Sequence, residues 1–131
     1  MSRGTILIVD DEAALRRVLE RVLTRDGYEV LSAGSGEAAL ELLDAHDVDM
    51  VLMDLRMPGM SGLTLYHAIA SRWPPLIPRL AVMTGDPEDE SLKEWLGVNN
   101  PPVIPKPFEV AEVLRLVDQL SQWRREANRK Q

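Results

Sequence analysis

The stretch Met50-Val51-Leu52-Met53-Asp54-Leu55-Arg56-Met57-Pro58-Gly59-Met60-Ser61-Gly62 carries the reading of the fold. Met50–Met53 is apolar without a polar alternation, the pattern of a strand buried on both faces. A carboxylate follows at once, and Pro58, Gly59 and Gly62 punctuate a loop. Leu65, Tyr66, Ile69 and Trp73 then resume helical spacing. A strand covered on both sides needs helices above and below it. The segment therefore predicts one βα unit of a parallel sheet, with Asp54 at the carboxyl end of its strand.

The same grammar repeats outward in both directions. Thr5–Val9 is a β-type run ended by Asp10-Asp11, and Leu15, Val18, Leu19, Val22 and Leu23 follow it as an amphipathic helical stripe. Gly27 suits the left-handed cap of that helix. Tyr28–Ala33 reads as a second strand, and Ser35 caps a helix with Ala39, Leu42 and Leu43 on one face. Beyond Pro74-Pro75 and Pro78, Leu80–Met83 makes a fourth strand that runs into Thr84-Gly85-Asp86. Glu88–Leu96 is a short helix, and Val103-Ile104 is a short strand between prolines. Val110, Val113, Leu114, Val117 and Leu120 mark a last helix that can continue into the tail. Five βα units in series predict an α/β doubly wound parallel sheet, because parallel crossovers are right-handed and need a covering helix.

Composition bounds the function classes. The chain's 131 residues suit one compact domain, and 45% hydrophobic residues give it a core. It has no Cys, which excludes disulfide scaffolds, thiolate zinc sites and cysteine nucleophiles. No apolar run approaches a membrane span, and a net charge of −6 argues against generic nucleic-acid binding. The expectation is a soluble, cytoplasmic protein with no direct nucleic-acid or membrane partner. The charge is divided unevenly: residues 1–120 carry −9 and residues 121–131 carry +3. This divides the chain into a body over 1–120 and a basic helical extension or tail over 121–131.

In open parallel sheets the ligand site lies beyond the carboxyl ends of the strands. Asp10-Asp11, Asp54, Thr84 and Lys106 all follow predicted strands, so three acids, a hydroxyl and an ammonium converge on one crevice. Two carboxylates ~4 Å apart repel by about 4 kcal/mol at an effective dielectric of ~20. With only oxygen ligands at hand, a hard divalent ion such as Mg²⁺ fits best. Mg²⁺ completes its shell with phosphate oxygen, which points to phosphoryl chemistry. A carboxylate is already ionised at neutral pH and attacks phosphorus without a general base. Asp54, alone on a central strand, is the better nucleophile candidate, with Thr84 and Lys106 as donors to phosphoryl oxygens.

At these positions the chain resembles the receiver domain of two-component response regulators. The matching stretches are Ile6–Glu12, Val51–Gly62, Val82-Met83-Thr84-Gly85 and Lys106-Pro107-Phe108, and the resemblance covers roughly residues 3–120. It implies a flavodoxin-like five-stranded sheet of order 2-1-3-4-5 flanked by five helices. It implies that Asp54 accepts a phosphoryl group from phosphohistidine on a histidine kinase or a histidine phosphotransfer protein. Mg²⁺ is then held by Asp11, Asp54 and the backbone carbonyl of Arg56, with Asp10 acting largely through water. Thr84 and Lys106 meet the phosphoryl group, and the Lys106-Pro107 bond is often cis in that family. Such a domain signals by altered binding to an output partner or by onward relay, and catalyses only its own phosphorylation and dephosphorylation.

The pattern also departs from the family. The switch aromatic three residues before the lysine is Val103 here, so an inward-turning ring cannot follow the threonine. Signalling through the face of helix four, strand five and helix five is expected to be weaker or rerouted. The prolines at 101 and 102 predict a short fourth helix, a feature similar to receivers found with hybrid histidine kinases. Arg56 and Asp86 lie where the family tunes phosphoryl lifetime, and their opposite charges suggest a pair across the mouth of the site.

Other readings stand beside this one. Asp10-Asp11 also suits a helix cap, and Asp54 a turn. His46 and His67 fall on helical segments away from the crevice, and Trp123 with the arginines of the tail suits either a solvated helix or a partner-binding one. A haloacid dehalogenase-like phosphatase uses similar groups, but its Asp-x-Asp spacing after the first strand is absent. A constitutive pseudo-receiver would not need the complete acceptor set, and no phosphate loop for a flavin follows strand one.

Overall fold

The computed structural model describes residues 2–85 and 89–129, with backbone alone for Ser91 and residues 122–129. Five strands, β1 (Thr5–Val9), β2 (Glu29–Ala33), β3 (Met50–Asp54), β4 (Leu80–Thr84) and β5 (Val103–Pro105), alternate with five helices. These are α1 (Ala13–Arg25), α2 (Gly36–Ala45), α3 (Gly62–Arg72), α4 (Glu90–Asn99) and α5 (Val110–Arg129). The sheet is parallel throughout, in the order β2-β1-β3-β4-β5. Order and class agree with the flavodoxin-like expectation.

Side chains alternate across a strand, and the core divides accordingly. Leu7, Val9, Val51, Met53, Leu80 and Val82 face one way, against Ala39 and Leu43 of α2, Leu65 and Ile69 of α3, and Leu92 of α4. Ile6, Ile8, Leu52 and Met83 face the other way, against Leu19 and Leu23 of α1 and Val113 and Val117 of α5. Every residue of β3 and β4 is buried, which explains their unbroken apolar runs. At about 1.5–3 kcal/mol for each fully buried large aliphatic side chain, these two layers supply the main driving force for folding.

The caps follow local chemistry. The Ser35 hydroxyl accepts from the Ala38 N–H at the start of α2, and the Ser61 hydroxyl accepts from the Thr64 N–H at the start of α3. Gly27 takes φ +99° just past α1, and its N–H donates to the Thr24 carbonyl.

Three details differ from the sequence reading. Val18 is 48% exposed, because only Leu19 and Leu23 of the predicted stripe point fully at the sheet. Pro74–Arg79 forms a 3-10 turn rather than a plain connection; the three prolines cannot donate the N–H bonds of an α-helix, yet they accept this tighter turn. Helix α4 spans Glu90–Asn99, later at both ends than expected. The helix α5 backbone continues through the basic segment to Arg129, and the side chains of Trp123 and the tail arginines lie outside the described residues.

Candidate functional site

The parallel sheet places the carboxyl ends of β1, β3, β4 and β5 along one edge, and each delivers a polar side chain there. Asp10 follows β1 and is fully buried; Asp54 ends β3 at 6% exposure; Thr84 ends β4 and is fully buried. Lys106 follows β5, and its Nζ donates to Asp10 Oδ2 at 2.7 Å and to Asp54 Oδ2 at 2.9 Å. Residues 52 and 96 positions away from it in the chain are thus joined at one ammonium. Glu12 Oε1 stands farther off at 3.8 Å.

The backbone holds these groups in place. Asp54 Oδ1 accepts from the Arg56 N–H at 2.9 Å, and Asp10 Oδ1 accepts from the Glu12 N–H at 2.9 Å. Asp10 therefore ties down the turn before α1 and is not its cap; Glu12 occupies the cap position without a side-chain bond. The Asp10 carbonyl accepts from Arg16 Nη1 at 2.6 Å. Leu55 N–H donates to the Met83 carbonyl, and Lys106 N–H donates to the Thr84 carbonyl, so the loops leave the sheet still paired to its neighbouring strand. The Lys106-Pro107 peptide is cis, as the resemblance implied.

Gly62 has a steric role that the sequence reading assigned only to loop punctuation. A Cβ there would lie 2.5 Å from the Leu55 Cα and 2.6 Å from the Asp54 carbonyl oxygen. The start of α3 rests directly on the backbone of Asp54 and Leu55, and only glycine permits that approach.

Asp10, Asp11 and Asp54 each offer a carboxylate oxygen, all within 4.8 Å of one another, and Asp11 is the exposed member. Three carboxylates, two of them buried, against one ammonium leave the crevice with an excess of negative charge. A hard cation with all-oxygen ligands fits this donor set. For Lys106, burial pulls the pKa down, but the hydrogen bonds and charges of Asp10 and Asp54 outweigh it and hold the group above the ordinary lysine value. It is therefore a fixed cation at neutral pH.

The side chain of Arg56 forms an ion pair with Asp89, just ahead of α4. The expected partner, Asp86, lies outside the described residues. Asp89 was not singled out from sequence, since nothing in its spacing tells which acid of the β4–α4 loop faces the site. His46 and His67 are exposed and apart from the crevice. The His67 ring accepts a hydrogen bond from the Trp95 indole at 3.3 Å. Val103 is 37% exposed on β5. Among the described residues, no helix is long and apolar enough to cross a membrane.

Comparison with known proteins agrees with this geometry. A family profile described as "Response regulator receiver domain" matches residues 6–118. The DNA-binding transcriptional regulator NtrC of Klebsiella pneumoniae is 37% identical over 118 residues, which cover 90% of this chain and 25% of the relative. Its Escherichia coli K12 counterpart is 35% identical with the same coverage. The chain thus spans about a quarter of the length of these relatives. The signal receiver domain of an HD domain-containing protein from Pseudomonas fluorescens Pf-5 superposes with a TM-score of 0.84 at 26% identity, covering 95% of this chain and 98% of that one. The response regulator TrrA of Thermotoga maritima, solved with Mg²⁺ and BeF, superposes at 0.76 with 28% identity, covering 89% and 98%. The acidic cluster of Asp10, Asp11 and Asp54 fits the phosphorylation site of such proteins. Fold, crevice and relatives agree: the chain belongs to the response regulator receiver domain family.

Proposed function

We propose that Asp54 is the phosphoacceptor of this chain and that a phosphohistidine on a histidine kinase or a histidine phosphotransfer protein is its donor. The observation that carries this reading is the bridging of Asp54 and buried Asp10 by the Lys106 ammonium at the carboxyl edge of the sheet. An Asp54 carboxylate oxygen attacks the phosphorus, an O–P bond forms, and the histidine N–P bond breaks. The electron pair leaves with the imidazole, which takes up a proton. The product is an acyl phosphate.

Each neighbour has a task. The Arg56 N–H on Asp54 Oδ1 orients the carboxylate before attack. Lys106 neutralises negative charge on the incoming phosphoryl oxygens, and its raised pKa keeps it charged through the reaction. Thr84, at the end of the adjacent strand, donates its hydroxyl to another of those oxygens. Mg²⁺ would be held by Asp11, Asp54 and the Arg56 carbonyl, with Asp10 acting through water, and when bound it supplies the charge neutralisation that phosphoryl transfer requires. An apolar groove of about 380 Å³ lined by Leu15, Pro107 and Phe108 adjoins Lys106 and offers a seat for the donor imidazole.

The receiver body over 1–120 then acts in the cytoplasm by altered binding to an output partner or by onward relay, and the basic segment 121–131 is an extension of it. Incubation with acetyl phosphate and Mg²⁺, followed by intact-mass measurement, tests the reading. One phosphoryl adduct that disappears in Asp54→Asn supports it. Steady turnover of small phosphoesters points to a phosphatase, and no adduct with any donor points to a constitutive pseudo-receiver.

A further inference from the structure

Position 103 on β5 is a valine, 37% exposed, with no ring to turn inward. A different chain of contacts runs from Asp54 in this molecule. The Arg56 N–H is bonded to Asp54 Oδ1, and the Arg56 guanidinium is paired with Asp89. The Asp89 carbonyl accepts from the N–H groups of Leu92 and Lys93, so this residue anchors the first turn of α4. One face further along that helix, the Trp95 ring packs edge-on against Tyr66 of α3, with centroids 4.8 Å apart. The Trp95 indole N–H also donates to His67 Nε2. Tyr66 is buried at 5% exposure and belongs to the core beneath, so α4 is tied to the body at one end by charge and at the other by rings.

We propose that the Arg56–Asp89 ion pair is the element that transmits phosphorylation in this chain, and that the Trp95–Tyr66–His67 contact between α4 and α3 is what it moves. The proposal rests on Asp54 being the phosphoacceptor. A phosphoryl group brings about two negative charges to the residue whose carboxylate already holds the Arg56 backbone. Asp89 offers the guanidinium one charge; the phosphoryl group offers it more, and also repels Asp89. Both effects act in the same direction. Arg56 leaves Asp89, the start of α4 loses this tie to the loop after Asp54, and Trp95 shifts on Tyr66 and His67. The ion pair is half-exposed on the arginine side, so it exchanges partners without breaking the core.

The indole N–H of Trp95 reports this directly, since it is hydrogen-bonded to an imidazole. A ¹H–¹⁵N spectrum of the uniformly labelled protein resolves the indole signals, and Trp95→Phe assigns the one in question. Phosphorylation by acetyl phosphate with Mg²⁺, verified by intact mass on the same sample, is expected to move the Trp95 signal and speed its solvent exchange several-fold. Asp89→Asn, which removes the charge and keeps the shape, is expected to place the unphosphorylated Trp95 signal most of the way to the phosphorylated position. Phosphorylation should then move it little further. An ion pair with a merely structural role would alter stability in Asp89→Asn and leave the indole where it was. A full-sized adduct with a stationary Trp95 signal overturns the coupling alone, as does an undiminished shift in Asp89→Asn. Absence of any adduct overturns the phosphoacceptor reading and the coupling with it.

Discussion

Replacing Lys106 by Met removes the charge that holds two carboxylates together and leaves a side chain of similar length. The ammonium sits 2.7 Å from Asp10 and 2.9 Å from Asp54. At an effective dielectric of ~20 each contact has a gross Coulomb energy of about 6 kcal/mol, most of which the cost of desolvating the charges cancels. Removing one partner of a buried pair leaves the others uncompensated, and this typically costs about 3–5 kcal/mol. The Lys106 side chain retains 17% exposure, which lets water relax around the gap. The expected loss is therefore about 3 kcal/mol at pH 7 in EDTA and low salt, read from urea denaturation with the wild-type slope. A further signature follows from the electrostatic origin. Saturating Mg²⁺ should recover much of the loss, because a cation among Asp10, Asp11 and Asp54 replaces the missing charge; binding at about 100 times Kd contributes about 2.7 kcal/mol. A deficit below about 1 kcal/mol in EDTA, or one equal in EDTA and in Mg²⁺, would refute the reasoning.

Other outcomes follow from separate parts of the site. Gly62→Ala drives a methyl group against the backbone of Leu55 and Asp54, so a loss of about 3 kcal/mol or more is expected by denaturation, together with slower phosphorylation of the displaced Asp54. The Lys106 pKa is raised on folding, so its stabilisation is complete below the ordinary lysine value of about 10.4 and is lost as pH rises through the folded value. Burial raises Tyr66 as well, which acts in the same direction, and a denaturation series from pH 8 to 11 should show stability falling at the alkaline end, less steeply in Lys106→Met. Arg56→Ala is expected to hasten loss of the acyl phosphate by about fivefold at most, the range an exposed ion pair supports, and an unchanged decay rate would discard a gating role for Arg56. With beryllium fluoride bound, the face of α4, β5 and α5 should show no large ordered shift at β5, since Val103 has no ring to turn inward; a crystal structure with such a shift would count against rerouting.

The five strands, their buried or half-buried character and the crevice at their carboxyl ends were legible in the chain itself. Runs such as Met50–Met53 and Leu80–Met83 lack alternation because both faces are covered, and that alone implies a parallel sheet between helix layers. The motif around each strand end then named Asp10, Asp11, Asp54, Thr84 and Lys106 before any distance was known. The departure at Val103 was equally plain, since it is a single residue at a fixed offset from Lys106.

What only the tertiary structure decided depends on approach between segments distant in sequence. That Lys106 bridges Asp10 and Asp54 is set by the register of β1, β3 and β5, which no local pattern contains. The steric demand on Gly62 arises from α3 resting on the β3 exit, and as a sequence feature it looked like any loop glycine. Arg56 meets Asp89 just ahead of α4, and charge alone did not distinguish among the acids between β4 and α4. Periodicity reports which face of an element is buried; it does not report which distant side chain lies opposite. Strand identity and site composition are therefore written locally, whereas the charge pairing that tunes the site and ties α4 to it is a product of the assembled sheet.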